Sequence, residues 1–165
     1  MSYQPSDIVE FVKQSASEVF EGMTFAEVEQ VENLSAPQTP TPDEYLVNID
    51  LNEPVRGHFI MSFKEDFLWD YLGVNVDEDE IADRAQYMKD FAAELLNTLV
   101  GNFMARMLPP NTEFKIGIPT VAVGTFPDFN NGDVDQEIFI TLTIDGMPFF
   151  CQVGWEQSDI DKIIP

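Results

Sequence analysis

A chain of 165 residues that is 44% hydrophobic and 12% aromatic fits one domain, residues 1–165, able to bury roughly 70% of the surface its unfolded form exposes. Its net charge of −22 excludes nucleic acid or an anionic membrane as a broadly charged partner surface, since both need clustered Lys and Arg. One cysteine, Cys151, excludes an internal disulfide, and the lack of a leader-like N-terminus or of an apolar run near ~18 residues makes the cytoplasm the expected location, without membrane insertion.

Ile8, Val12, Val19 and Phe20 follow a helical period and predict a helix from Ile8 to Phe20, with Ser6 or Asp7 as its N-cap. Phe25 to Val31 reads as a short strand or an extended connection. The stretch 33–43, with Pro37, Pro40 and Pro42 among Ser and Thr, is expected to be an exposed loop. Tyr45 to Leu51 and Val55 to Phe63 predict paired strands joined near Asn52-Glu53-Pro54. In the second, Val55, Phe59, Met61 and Phe63 keep a period of two, with Gly57 at one inward position. A short helix then runs from Lys64 through Phe67, Leu68, Tyr71 and Leu72, with Gly73 as its stop.

The acidic run Asp77-Glu78-Asp79-Glu80 suits the first turn of a helix, where acids complement the macrodipole and Asp77…Glu80 has capping-box spacing. That helix continues to about Met107 and must end before Pro109-Pro110. Phe114 to Ile118 and Val121 to Val123 are short strand candidates. Glu137 to Ile144 alternates cleanly, as do Phe149, Cys151, Val153 and Trp155, and Asp145-Gly146 between them is a hairpin-turn signal. Antiparallel strands interrupted by helices make this an α+β domain, its sheet packed by the long helix and the N-terminal helix.

Several chemistries lack their residues. With one His and one Cys a zinc site is short of ligands, and His58, inside a strand, reads as structural. Nothing resembles a nucleophile elbow, a P-loop or a GxGxxG turn. Asp128-Phe129-Asn130-Asn131-Gly132-Asp133 resembles half a calcium loop but has Asp133 where the loop needs Gly, so it reads as a turn-rich connection. Cys151 alternates with apolar neighbours and reads as core.

The long helix offers more. At ~100° per residue Asp90, Glu94, Asn97 and Gly101 form one narrow strip. Ile81, Ala85, Met88, Ala92, Leu96, Leu99, Phe103 and Met107 fall on the opposite side. Glu94 and Asn97 thus share an outward face, pairing an acceptor-only carboxylate with an amide that both donates and accepts. Asn has middling helix propensity, so its place in mid-helix asks for a reason. The chain's acidity is uneven, −10 over residues 1–53, −5 over 54–110 and −7 over 111–165, so the section with this helix repels an acidic partner least.

Glu94-Leu95-Leu96-Asn97, then Gly101 and Ala105-Arg106-Met107, then Ile118-Pro119-Thr120-Val121-Ala122-Val123-Gly124 together resemble the CheX/CheC family of chemotaxis phosphatases. Upstream, Gly57-His58-Phe59-Ile60-Met61-Ser62-Phe63 is similar to that family's Gly-initiated strand, and the resemblance runs from about residue 6 to 156. One departure is Leu96, where the family often has Gly; it is expected to alter packing more than chemistry. The single ExxN copy is similar to CheX rather than two-site CheC.

The resemblance implies dephosphorylation of the aspartyl-phosphate on a CheY-like receiver domain. Asn97 would orient the attacking water and Glu94 would dock on the receiver lysine. Mg²⁺ would belong to the receiver, with no cofactor or metal of the chain's own. It also implies a sheet-paired homodimer, for which the apolar 137–155 hairpin looks like an edge needing cover. The alternative is a non-catalytic relative that binds a receiver or serves an assembly.

Overall fold

The computed structural model describes residues 2–75, 83–130 and 134–164. Its elements run α1 (Pro5–Thr24), β1 (Val28–Leu34), β2 (Glu44–Glu53), β3 (Gly57–Lys64), α2 (Glu65–Asn75), α3 (Arg84–Met107), β4 (Lys115–Ile116), β5 (Thr120–Val123), β6 (Gln136–Ile144), β7 (Met147–Trp155) and α4 (Gln157–Ile163). The seven strands form one antiparallel sheet in the order β1-β6-β7-β3-β2-β4, and β5 pairs with β2 beside β4. The α+β expectation holds.

Alternation along the strands sets the core. Val47, Ile49 and Leu51 of β2, Phe59, Met61 and Phe63 of β3, Ile140 and Leu142 of β6, and Cys151 and Val153 of β7 point to one face. That face is covered by Ile8, Val12, Ala16, Val19 and Phe20 of α1 and by the buried side of α3. Phe20 meets Phe63, Phe67 and Phe149 with ring centroids 6.4, 5.8 and 5.8 Å apart, which ties α1, α2 and the sheet together.

The other face is buried too, which a period-two reading does not anticipate. Leu46, Ile60 and Phe150 lie on it, outside the main core cluster yet buried. The chain after β5 crosses this face: Phe126 sets its edge on Phe150 at 5.9 Å, and Phe129 rests on His58 at 4.4 Å. Every residue of β3 from Gly57 to Phe63 is therefore buried. At Gly57 a Cβ would stand 2.1 Å from the Gly154 carbonyl oxygen, so no side chain fits there.

Several boundaries move. α1 begins at Pro5 and its cap is Gln4, not Ser6 or Asp7; Asp7 instead accepts the Gln4 N–H at 2.8 Å. Of the two readings for Phe25 to Val31, the strand is realised as β1, with the loop starting after Leu34. α2 passes Gly73 and continues to Asn75. The Asp77–Glu80 run and residues 131–133 of the calcium-like loop lie outside the described residues.

The 137–155 hairpin turns at Asp145 and Gly146, both at positive φ (49° and 76°), the geometry of a type I′ turn. Its flanks are not free edges, because β6 pairs with β1 and β7 with β3. The edge argument for self-pairing falls on that register. α4, which the sequence reading did not foresee, is tied to the residue that precedes β3: Asp159 accepts the Arg56 N–H and Nε–H at 3.0 and 2.8 Å, and Nη2–H at 3.2 Å. Among the described residues no helix is long and apolar enough to cross a membrane.

Candidate functional site

α3 is built to be rigid. Asp83 caps it by accepting the Gln86 N–H at 3.1 Å, and the Leu108 N–H closes it on the Met104 carbonyl at 3.0 Å, one residue before Pro109. Arg106 in its last turn complements the dipole and reaches Glu18 of α1. The Tyr3 hydroxyl donates to the Met107 carbonyl at 2.8 Å, and Phe103 meets Phe59 edge-to-face at 5.4 Å.

The buried arc comprises Met88, Ala92, Leu95, Leu96, Leu99, Val100, Phe103, Met104 and Met107. It contains the predicted stripe and widens it, because α1 and α2 flank the helix as well as the sheet lying beneath it. Leu96 is fully buried, as its angular position requires. Ala85 is the exception, exposed in the first turn. Ile81 lies outside the described residues.

On the other side Asp90, Glu94 and Asn97 are exposed and Gly101 is partly so. Neither the Glu94 carboxylate nor the Asn97 amide is engaged by another group among the described residues; beside them Thr98 Oγ1–H donates to the Glu94 backbone carbonyl at 2.9 Å. Both side chains are therefore available to a partner, on a backbone fixed from behind.

Tyr87, seven residues before Glu94 and so ~20° from it around the helix, is 44% exposed and lengthens the strip toward its N-terminal end. The sequence reading missed it, although heptad spacing was the signal available. Gly101 is also informative. Among the described residues a Cβ there would meet nothing within 4 Å, yet glycine inside a helix costs about 1 kcal/mol relative to Ala.

The remaining candidates settle into structure. His58 is buried, its Nε2 lies 2.9 Å from Glu137 Oε1, and the same oxygen accepts Gln152 Nε2–H at 2.6 Å. Its ring occupies the space that a side chain on Gly154 would need, 2.4 Å from the would-be Cβ. Burial pushes the Cys151 thiol far up, so it is inert as a nucleophile. Asn130 donates to Asp50 at 3.5 Å, a weak tether for the crossing segment. Among the described residues no group of three or more His, Cys, Asp or Glu is placed to hold a metal.

An antiparallel sheet with two helices on one face, the longer presenting an open Glu-Asn pair, defines the class of protein: the chemotaxis fold of CheX and CheC. Over 91% of this chain and 99% of the other, it superposes on the chemotaxis protein CheX from Desulfovibrio desulfuricans with TM-score 0.69 at 17% identity. A CheC-like superfamily protein from Shewanella sp. PV-4 gives TM-score 0.67 at 15% identity, covering 93% and 99%. A chain of the CheX–CheY–BeF3–Mg²⁺ complex from Borrelia burgdorferi gives 0.64 at 16%, covering 91% and 98%. No protein of curated function matches in sequence. Residues 45–143 match the family model for chemotaxis phosphatase CheX, and the chain belongs to that family.

Proposed function

We propose that this chain hydrolyses the aspartyl-phosphate of a CheY-like receiver domain, with Asn97 orienting the water and Glu94 docking on a receiver lysine. The carrying observation is that both side chains are exposed and unengaged on a helix whose other side is locked into the core of a CheX-family domain. The related Borrelia structure holds CheY with BeF3 and Mg²⁺, which supports a receiver as partner and Mg²⁺ on the receiver side.

An acyl phosphate already has a good leaving group. What it lacks in hydrolysis is a water held in line with phosphorus, and positioning of that kind is worth orders of magnitude in rate. An amide is suited to this, because its oxygen accepts from the water while its NH₂ donates. A carboxylate one turn away gives a lysine ammonium a fixed seat. The same proposal retains a homodimer whose interface leaves the α3 strip free.

The test is phosphate release from receiver domains charged with acetyl phosphate, with and without this protein. Stimulated release that vanishes in Asn97→Ala while the melting curve is kept supports the reading. Wild-type activity in that variant on a responsive receiver refutes it.

A further inference from the structure

The strip on α3 contains one residue that packing among the described residues does not explain. Gly57 and Gly154 are glycine because a Cβ would strike neighbours at 2.1 and 2.4 Å. At Gly101 that Cβ would enter open space. Gly22 is open as well, but it lies in the last turns of α1, where frayed helix tolerates glycine. Gly101 sits six residues before the end of α3, inside its hydrogen-bonded body.

Its direction is the second observation. Four residues after Asn97 and seven after Glu94, Gly101 is ~40° from the first and ~20° from the second around the helix. The next residue on that line, Ala105, is exposed and small, whereas the opposite end of the strip carries Tyr87. The ground beside the Asn97 amide is thus low on its C-terminal side, at Gly101 and Ala105, and the strip rises at its far end, at Tyr87.

Resting on the phosphatase reading above, we infer that Gly101 keeps the α3 surface bare so that the backbone around the phosphorylated aspartate of the receiver can descend beside Asn97. The Asn side chain is short. For its amide to hold a water against phosphorus inside another protein's site, that protein must come almost to the helix backbone, and a side chain one turn away on the same line would stand in its path. Gly101 is a positioning residue in this account, setting the depth and direction of docking without touching the reacting atoms. The receiver enters over the C-terminal half of the strip, leaving Tyr87 at the rim.

A size series separates this from a structural role, because helix propensity and docking pull in opposite directions. Gly101→Ala and Gly101→Leu should both melt at or above the parent, by about 2–4 °C for Ala. On the receiver that responds best in the acetyl-phosphate assay, kcat/KM should fall roughly tenfold for Ala and roughly 100-fold for Leu, the scale of a ~1 Å misplacement. The loss should fall mainly on KM, with matching loss of affinity for that receiver charged with beryllofluoride and Mg²⁺.

Parent-like KM and affinity in Gly101→Leu would overturn the inference, as would a lowered melting temperature that accounts for the lost activity. Asn97→Ala, run alongside, should lose rate while still binding the beryllofluoride-charged receiver. If Asn97→Ala keeps full rate, the chemical assignment falls while the docking result stands on its own. If no receiver binds the parent protein, both fall together.

Discussion

At the scale of single residues, one helical turn faces two ways: Glu94 and Asn97 point outward, on the proposed docking strip, and Leu96 points into the core. Glu94→Lys replaces an acceptor with a like charge opposite the proposed receiver lysine. Both KM and kcat should suffer, whereas Asn97→Ala should act on kcat alone, and steady-state kinetics on one receiver separates the two. Leu96 is fully buried beside them. Leu96→Asp would leave an unpaired charge in the core and should cost about 3–5 kcal/mol, read as a lowered urea midpoint. A full-strength midpoint for that variant would mean that the helix is rotated from the phase described. Sequence alone exposed this division, because helical periodicity separates inward from outward positions without knowledge of neighbours. The open space at Gly101 was not legible in that way: whether a Cβ meets open space or another backbone depends on which elements fold over it.

At the scale of elements, what the sequence made plain was whatever carried a strong local period or turn signal. The β6–β7 hairpin, the β2–β3 pair and α3 are of that kind. β1 was ambiguous because its sequence Val-Glu-Gln-Val-Glu-Asn-Leu alternates poorly for an edge strand burying mainly Val28. α4 was missed because seven residues with two isoleucines at Ile160 and Ile163 carry too little pattern. Its attachment is a long-range ion pair, Arg56 with Asp159, that no local reading contains.

That pair makes a prediction with a definite sign. Hydrogen bonds from the Arg56 side chain hold the Asp159 carboxyl below its ordinary 3.8, against an opposing effect of burial. A carboxylate whose folded value is depressed contributes stability that is fully present above the unfolded value and lost as pH falls through the folded one. Asp159→Asn should therefore be less stable than the parent at pH 7, and the gap should close on acidification below about pH 4. Urea melts at pH 7, 5 and 3 would show it. A gap that stays constant across that range would mean that the pair contributes through packing rather than charge.

At the scale of the whole molecule, charge is the dominant fact: 30 acids against 8 bases on 165 residues, for a net −22. Such a chain repels itself when folded more than when extended, and the repulsion is screened beyond about 8–10 Å at 0.1–0.15 M salt. Its melting temperature should rise as sodium chloride goes from 0.01 to 0.15 M, and a flat profile would show that local ion pairs offset the global field. The same field bears on the homodimer. The β1 edge exposes Glu29 and Glu32, which discourage strand addition there. Pairing doubles the charge in one particle, so any self-association must be apolar in origin and should strengthen with salt. Sedimentation equilibrium at micromolar protein decides it: twice the 18.7 kDa chain mass at 0.15 M salt, shifting toward one chain at 0.01 M, supports the dimer. A single-chain mass at both salt concentrations removes the dimer and leaves the α3 strip, which is complete within one chain, as the proposed receiver-docking surface.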